Sequence, residues 1–100
     1  MTIEEMEECF KKHEDDEYIE FDKIPDAEKR HKRPDLCAFL LLAELFPKDG
    51  SDMVCSAEHD EIWLDPEIGD DSPLTEEHII YLLRCGVRWD DGASCFALFV

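Results

Sequence analysis

Leu74-Thr75-Glu76-Glu77-His78-Ile79-Ile80-Tyr81-Leu82-Leu83-Arg84-Cys85-Gly86 runs straight into Val87-Arg88-Trp89-Asp90-Asp91-Gly92-Ala93-Ser94-Cys95-Phe96-Ala97-Leu98-Phe99-Val100, and this stretch decides the fold class. Thr75 can accept a hydrogen bond from the backbone two or three residues on, so it caps a helix. Glu76 and Glu77 complement the positive end of that helix, and Leu74 is placed to staple onto Ile79. Gly86 is the residue type that most readily takes the left-handed stop. A hairpin follows: Val87 to Trp89, a turn at Asp90-Asp91-Gly92, then Ser94 to Val100. The last of these segments is apolar at successive positions, which predicts a strand inside the sheet, a sheet covered by helices on one face.

Working back along the chain, Asp52 to Pro66 reads as another hairpin. Met53-Val54-Cys55 and Ile62-Trp63-Leu64 favour strands, with polar Ser56 to Glu61 between them. Leu36 to Phe46 is apolar nearly all round, broken only by Glu44. Pro34 suits its first turn, and Pro47 with Lys48-Asp49-Gly50 ends it. A helix without a polar face is expected to be covered on most sides and to form the centre of the core. At the start, Thr2-Ile3-Glu4-Glu5 is a capping box with Met1 and Met6 at the staple positions. Ile3, Met6, Phe10 and His13, with Cys9 beside them, form one stripe, so a helix is predicted from Ile3 to Lys12 or Glu14. Asp15 to Lys23 fits either a helix continuation or an extended link, ended by Pro25-Asp26.

The order is therefore α–α–β–β–α–β–β, a single α+β domain over residues 1–100 whose two hairpins make one antiparallel sheet packed against helices. No repeat or linker divides it.

Charge excludes several functions. The chain holds 27 Asp and Glu against 10 Lys and Arg, a formal net charge of −17. Between Asp49 and Leu83 there are 11 acids and no Lys or Arg. Nucleic-acid affinity comes from neutralising phosphates with basic side chains, so direct nucleic-acid binding is not expected. An anionic membrane surface is disfavoured on the same ground. The most apolar window, Cys37 to Phe46, is about half the ~20 residues a membrane helix needs. The start lacks the basic-then-apolar pattern of a secretory signal. Five cysteines without a Cys-x-x-Cys pair read as free thiols of a reducing, cytoplasmic setting.

Chemistry-bearing groupings are few. His59-Asp60-Glu61, with Glu58 and Asp65 near, is the most enzyme-like, as metal ligands or as a base with an acid partner. Adjacent strand residues point to opposite faces, however, so convergence needs a special turn. Asp65 to Asp71 invites a calcium reading, but the acids miss the register of a calcium loop. Cys37, just inside the helix after Arg33 and Pro34, is the best-placed nucleophile, yet it opens the most apolar run and reads as an inert buried thiol. Lys29 to Arg33 is a short basic run that reads as neutralising neighbouring acids. Trp63 and Trp89 suit either an interface or core packing against the central helix, and packing is preferred. No cofactor is expected.

Leu74 to Arg88 and Arg33-Pro34-Asp35-Leu36-Cys37-Ala38-Phe39-Leu40-Leu41-Leu42 resemble short proteins encoded by bacteria and their phages. The resemblance implies a bacterial or phage cytoplasm and no particular activity or site residues.

Two readings of function follow. In the first, a non-enzymatic protein binds a basic protein partner through an acidic face of Glu58, Asp60, Glu61, Asp65, Glu67, Asp70, Asp71, Glu76 and Glu77. A sharper form makes it a DNA mimic that inhibits a host nuclease, or an immunity protein for a basic toxin. The plain form makes the acidity a solubility device. In the second, a small metal-dependent enzyme or metal-binding protein uses His59, Asp60 and Glu61. A dimer through an edge strand, Met53 to Cys55 or Val87 to Trp89, is compatible with both.

Overall fold

In the computed structural model, residues 1–15, 20–47, 53–66 and 69–99 are described. The first helix, α1, spans Ile3–His13 and carries the expected capping box: Glu5 N donates to Thr2 Oγ1 at 3.1 Å while Thr2 N donates to Glu5 Oε1 at 2.9 Å. Among the described residues of the link that follows, Phe21–Lys23 and Asp26–Glu28 form two short 3₁₀ turns. Tyr18 and Ile19 of that link, and Lys48-Asp49-Gly50 after the second helix, lie outside the described residues. The second helix, α2, is Pro34–Leu45 with Pro34 in its first turn. The third, α3, is Glu76–Arg84, and Gly86 takes φ +91° to end it.

Four strands, β1 (Val54–Glu58), β2 (Glu61–Leu64), β3 (Val87–Asp90) and β4 (Cys95–Phe99), form one antiparallel sheet in the order β1-β2-β4-β3. The apolar last strand lies inside the sheet, as its composition demands. β1 and β3 are the edges. The first hairpin is longer than its apolar segments suggested. Ser56 to Glu58 and Glu61 belong to the strands, and only His59-Asp60 form the loop. The two-residue turn works because His59 takes φ +57°, a left-handed conformation in which His is among the tolerated side chains. Cys55 is left over where the register shifts between Val54 and Ser56, a bulge that blunts this exposed edge.

Alternation sorts the sheet's faces. Leu64, Val87, Phe96 and Leu98 join the core beneath the helices, with Trp89 half-buried beside them. Trp63, Arg88, Asp90, Cys95, Ala97 and Phe99 belong to the other face by register. Phe96 links sheet to helix, its ring 5.8 Å from Phe10 and edge-on to Trp89 at 5.5 Å.

α3, not α2, is the central helix. It packs on α1, α2, β3 and the Phe21–Lys23 turn, whereas α2 packs chiefly on α3. Cys37, Ala38, Leu41 and Leu42 bury one face of α2, while Leu40 remains 45% exposed and Ala43 is exposed. Total apolarity therefore did not require total cover. The expected packing of the tryptophans on α2 is corrected with it. Trp89 packs on Phe96 and reaches α1, donating to Glu7 Oε1 at 3.2 Å. Trp63 lies across the sheet, donating to Asp90 Oδ2 at 2.9 Å.

Candidate functional site

The acidic residues fall into two groups because of how α3 enters the sheet. α3 turns into β3 at Gly86 and folds back along the sheet, so its first residues stand at the end opposite Val87. Val87 pairs with Leu98, next to Phe99, and Phe99 pairs with Glu61. The His59-Asp60 turn is therefore at one end of the sheet, and Glu76 and Glu77 are at the other. Glu58 and Asp60 are exposed at the turn. Glu61 is not part of a free acidic face, because its carboxylate pairs with Arg88, which in turn lies over the Phe99 ring at 4.3 Å. Asp65 follows β2, its amide donating to Met53 O at 2.9 Å. Glu67 lies outside the described residues.

At the other end, backbone ties join two distant segments. The Met1 amino group donates to Ser72 O at 2.9 Å, and Ile3 N donates to Asp70 Oδ1 at 3.2 Å. These bonds set the acidic first turns of α1 beside the Asp70-Asp71 loop. Glu5, Glu8 and Glu76 consequently line one surface depression with Met1, Cys9 and Lys12. Glu76 is held by Lys12 at 3.6 Å. Glu5 and Glu76 stand in the first turns of α1 and α3, where a helix dipole favours a carboxylate, and Glu76 lies beside the last turn of α1. The Thr2 amide and hydroxyl hold the Glu5 carboxyl below its usual range. Reading the chain linearly assigned the acidity to residues 49–83. Folding adds Glu4, Glu5 and Glu8 to it, and no local pattern in the sequence indicates that meeting.

The other sequence candidates resolve as follows. His59 and Asp60 occupy an exposed turn and Glu61 is committed to Arg88, so these three do not converge. Cys37 is fully buried, its thiol donating to His31 O at 2.9 Å and accepting from His31 N at 3.2 Å, an arrangement that makes it structural. Of the segment weighed for calcium, Asp70 is occupied by Ile3 N, and Glu67 and Ile68 lie outside the described residues. The basic run is largely spent on nearby acids: Lys29 pairs with Asp26 at 3.4 Å, Arg30 with Glu44 at 2.8 Å and Arg33 with Asp35 at 3.0 Å. Arg30 also lies over Tyr81, 5.1 Å from the ring centroid, which fastens the run to α3.

One grouping was not anticipated. Among the described residues, the metal-ligand types that converge are Cys9, His13 and Glu76, with one donor atom of each within 4.8 Å of the others. Cys9 and His13 were assigned to the core stripe of α1 and Glu76 to a helix cap. Their spacing of four was visible, but Glu76 is 63 residues further on and no local signal connects it to His13. Burial raises the Cys9 thiol's pKa and the Glu76 carboxylate raises it further, while Lys12 lowers it.

No helix among the described residues is long and apolar enough to cross a membrane. No family model, no curated protein and no solved structure matches the chain.

Proposed function

We propose that this is a non-enzymatic binding protein that engages a basic protein partner through the acidic surface that runs along α1 from the Asp70-Asp71 loop to the start of α3. The observation that supports it is the tie between Ile3 and Asp70. It sets Glu4 and Glu5 of the first turn of α1 beside the Asp70-Asp71 loop, and Glu5 and Glu8 share one depression with Glu76. Like charges held together raise the local potential and speed encounter with a cationic surface. A nuclease or another DNA-binding protein is the partner class with the matching charge, which makes DNA mimicry the sharper form of this reading. The setting inferred is a reducing cytoplasm, in keeping with five free cysteines.

The test uses two charge-reversed variants. Glu4→Lys, Glu8→Lys and Asp71→Lys alter exposed positions of α1 and the loop tied to its start, and Glu58→Lys with Asp60→Lys alter the hairpin tip. A partner recovered at low salt and purified should lose at least ~10-fold in affinity for the first variant. It should bind the second nearly as well as the unaltered protein. Equal loss in both, or binding indifferent to salt, would sink the assignment to this surface. Competition by duplex DNA for the partner would mark the mimic form.

A further inference from the structure

At the edge of that electrostatic surface, Cys9, His13 and Glu76 bring a thiol, an imidazole and a carboxylate to one point. Cys9 and His13 lie one turn apart on α1, and Glu76 is the first residue of α3. The packing of α1 on α3 creates the meeting. Cys9 is buried, and the His13 side chain is only 14% exposed. His13 Nε2 is itself fully buried. It stands 3.5 Å from Glu76 Oε1, yet without the geometry of a hydrogen bond, so it has no hydrogen-bond partner among the described residues. A buried imidazole nitrogen in that state needs an explanation, and a bound ion is a standard one.

We infer that Cys9, His13 and Glu76 form a binding site for a divalent transition metal of the Zn²⁺ type. Donors bound tetrahedrally at ~2.0–2.3 Å lie roughly 3.3–3.6 Å apart. The His13–Glu76 pair already has that separation at 3.5 Å, and all three donors fall within 4.8 Å. Small side-chain rotations complete the set. Sulfur and nitrogen donors disfavour Mg²⁺ and Ca²⁺, which take oxygen ligands. Binding exchanges the Cys9 thiol proton for the metal, and the proton leaves to solvent. Thiolate and carboxylate then balance the ion's two charges. Lys12 contacts Glu76 through Oε2, so Oε1 is the oxygen presented to His13. Cys9 and Glu76 also line the depression of about 250 Å³ with Met1, Glu5, Glu8 and Lys12, which offers an entry path and room for a water as fourth ligand.

Titration of the EDTA-treated protein with Co²⁺ tests this. One equivalent should produce a thiolate-to-cobalt charge-transfer band with intense tetrahedral visible absorption, and Zn²⁺ should abolish both. Cys9→Ser should remove the charge-transfer band, and Glu76→Gln should weaken Co²⁺ binding at least ~10-fold. Glu76 is exposed, so that variant keeps the test sound if Cys9→Ser folds poorly. Cys55→Ser should leave the spectrum unchanged. Absence of the band with the unaltered protein, or a band that survives both Cys9→Ser and Glu76→Gln, would overturn the site. The test is independent of the partner-binding reading, since it needs no partner.

Discussion

Trp63 Nε1 donates to Asp90 Oδ2 at 2.9 Å, joining β2 to β3 across the intervening β4. The other Asp90 oxygen accepts from Gly92 N at 3.0 Å and Ala93 N at 3.2 Å, so one carboxylate holds both a sheet face and the second hairpin's turn. The Trp63 donor, then the turn amides, hold the Asp90 carboxyl below the ordinary aspartate value of 3.8. A depressed folded-state pKa contributes stability above the unfolded value that is lost as pH falls through the folded one. Acid unfolding followed by circular dichroism should therefore show Asp90→Asn to be less stable than the unaltered protein at neutral pH. The difference should shrink below about pH 3.8. A gap that stays constant down to the acid limit would show that Asp90 acts otherwise.

The two neighbours Leu40 and Leu41 should respond very differently to truncation. Leu41 is 1% exposed and sits in the core cluster, whereas Leu40 is 45% exposed on the outer face of α2. Leu41→Ala should cost about 2–5 kcal/mol in urea unfolding, through lost burial and a cavity. Leu40→Ala should stay within ~0.5 kcal/mol or so, as surface substitutions do. Comparable losses would mean that a partner or a second copy covers that face in solution.

Gly86 holds φ +91° between α3 and β3. A Cβ there would meet Leu98 Cδ1 at 3.5 Å, an ordinary contact, so the penalty is conformational rather than steric. Gly86→Ala should destabilise by about 1–2 kcal/mol. Gly86→Asn should recover part of that in the same denaturation experiment, because Asn tolerates the left-handed region better.

Thiol labelling should separate the cysteines. Cys55 is exposed on the β1 edge and the other four are buried. Burial pushes the Cys85 thiol up to about 12 and the Cys95 thiol up to about 11, the latter with the Cys55 thiol adding to the effect. A disulfide reagent at neutral pH should modify one thiol per chain quickly and the rest only on unfolding, and Cys55→Ser should remove the fast phase. The raised values also carry a sign: protection of these neutral thiols is complete below the unfolded value of 9.0 and is lost as pH rises toward 12. Stability should accordingly fall on the alkaline side.

Much of the fold was legible from local chemistry. Thr2 and Glu5, Thr75 and Gly86 mark helix ends through hydrogen bonds and backbone freedom that involve only near neighbours. Even so, the third residue of the second capping box is His78, whose Nδ1 accepts from Thr75 N at 3.1 Å, a role usually taken by Glu or Gln. Cys95 to Phe99 is apolar at successive positions, and β4 lies inside the sheet, where β2 and β3 flank it and all of it but Phe99 is buried. Helix ranking failed for a physical reason. Hydrophobicity measures what a segment can bury, and α2 offers more apolar surface than its neighbours cover.

The sequence by itself determined the element order, the α+β class, the helix caps and the size of the acid excess, all set by residues close in the chain. Only the tertiary structure decided that α3 is central, that Glu61 is bound to Arg88, and that the acids of α1 stand beside those of α3. It alone brought Glu76 to Cys9 and His13. Those relationships depend on packing between segments far apart in the chain, such as the Met1–Ser72 tie across 71 residues, and no periodicity or motif along the chain encodes which faces will meet.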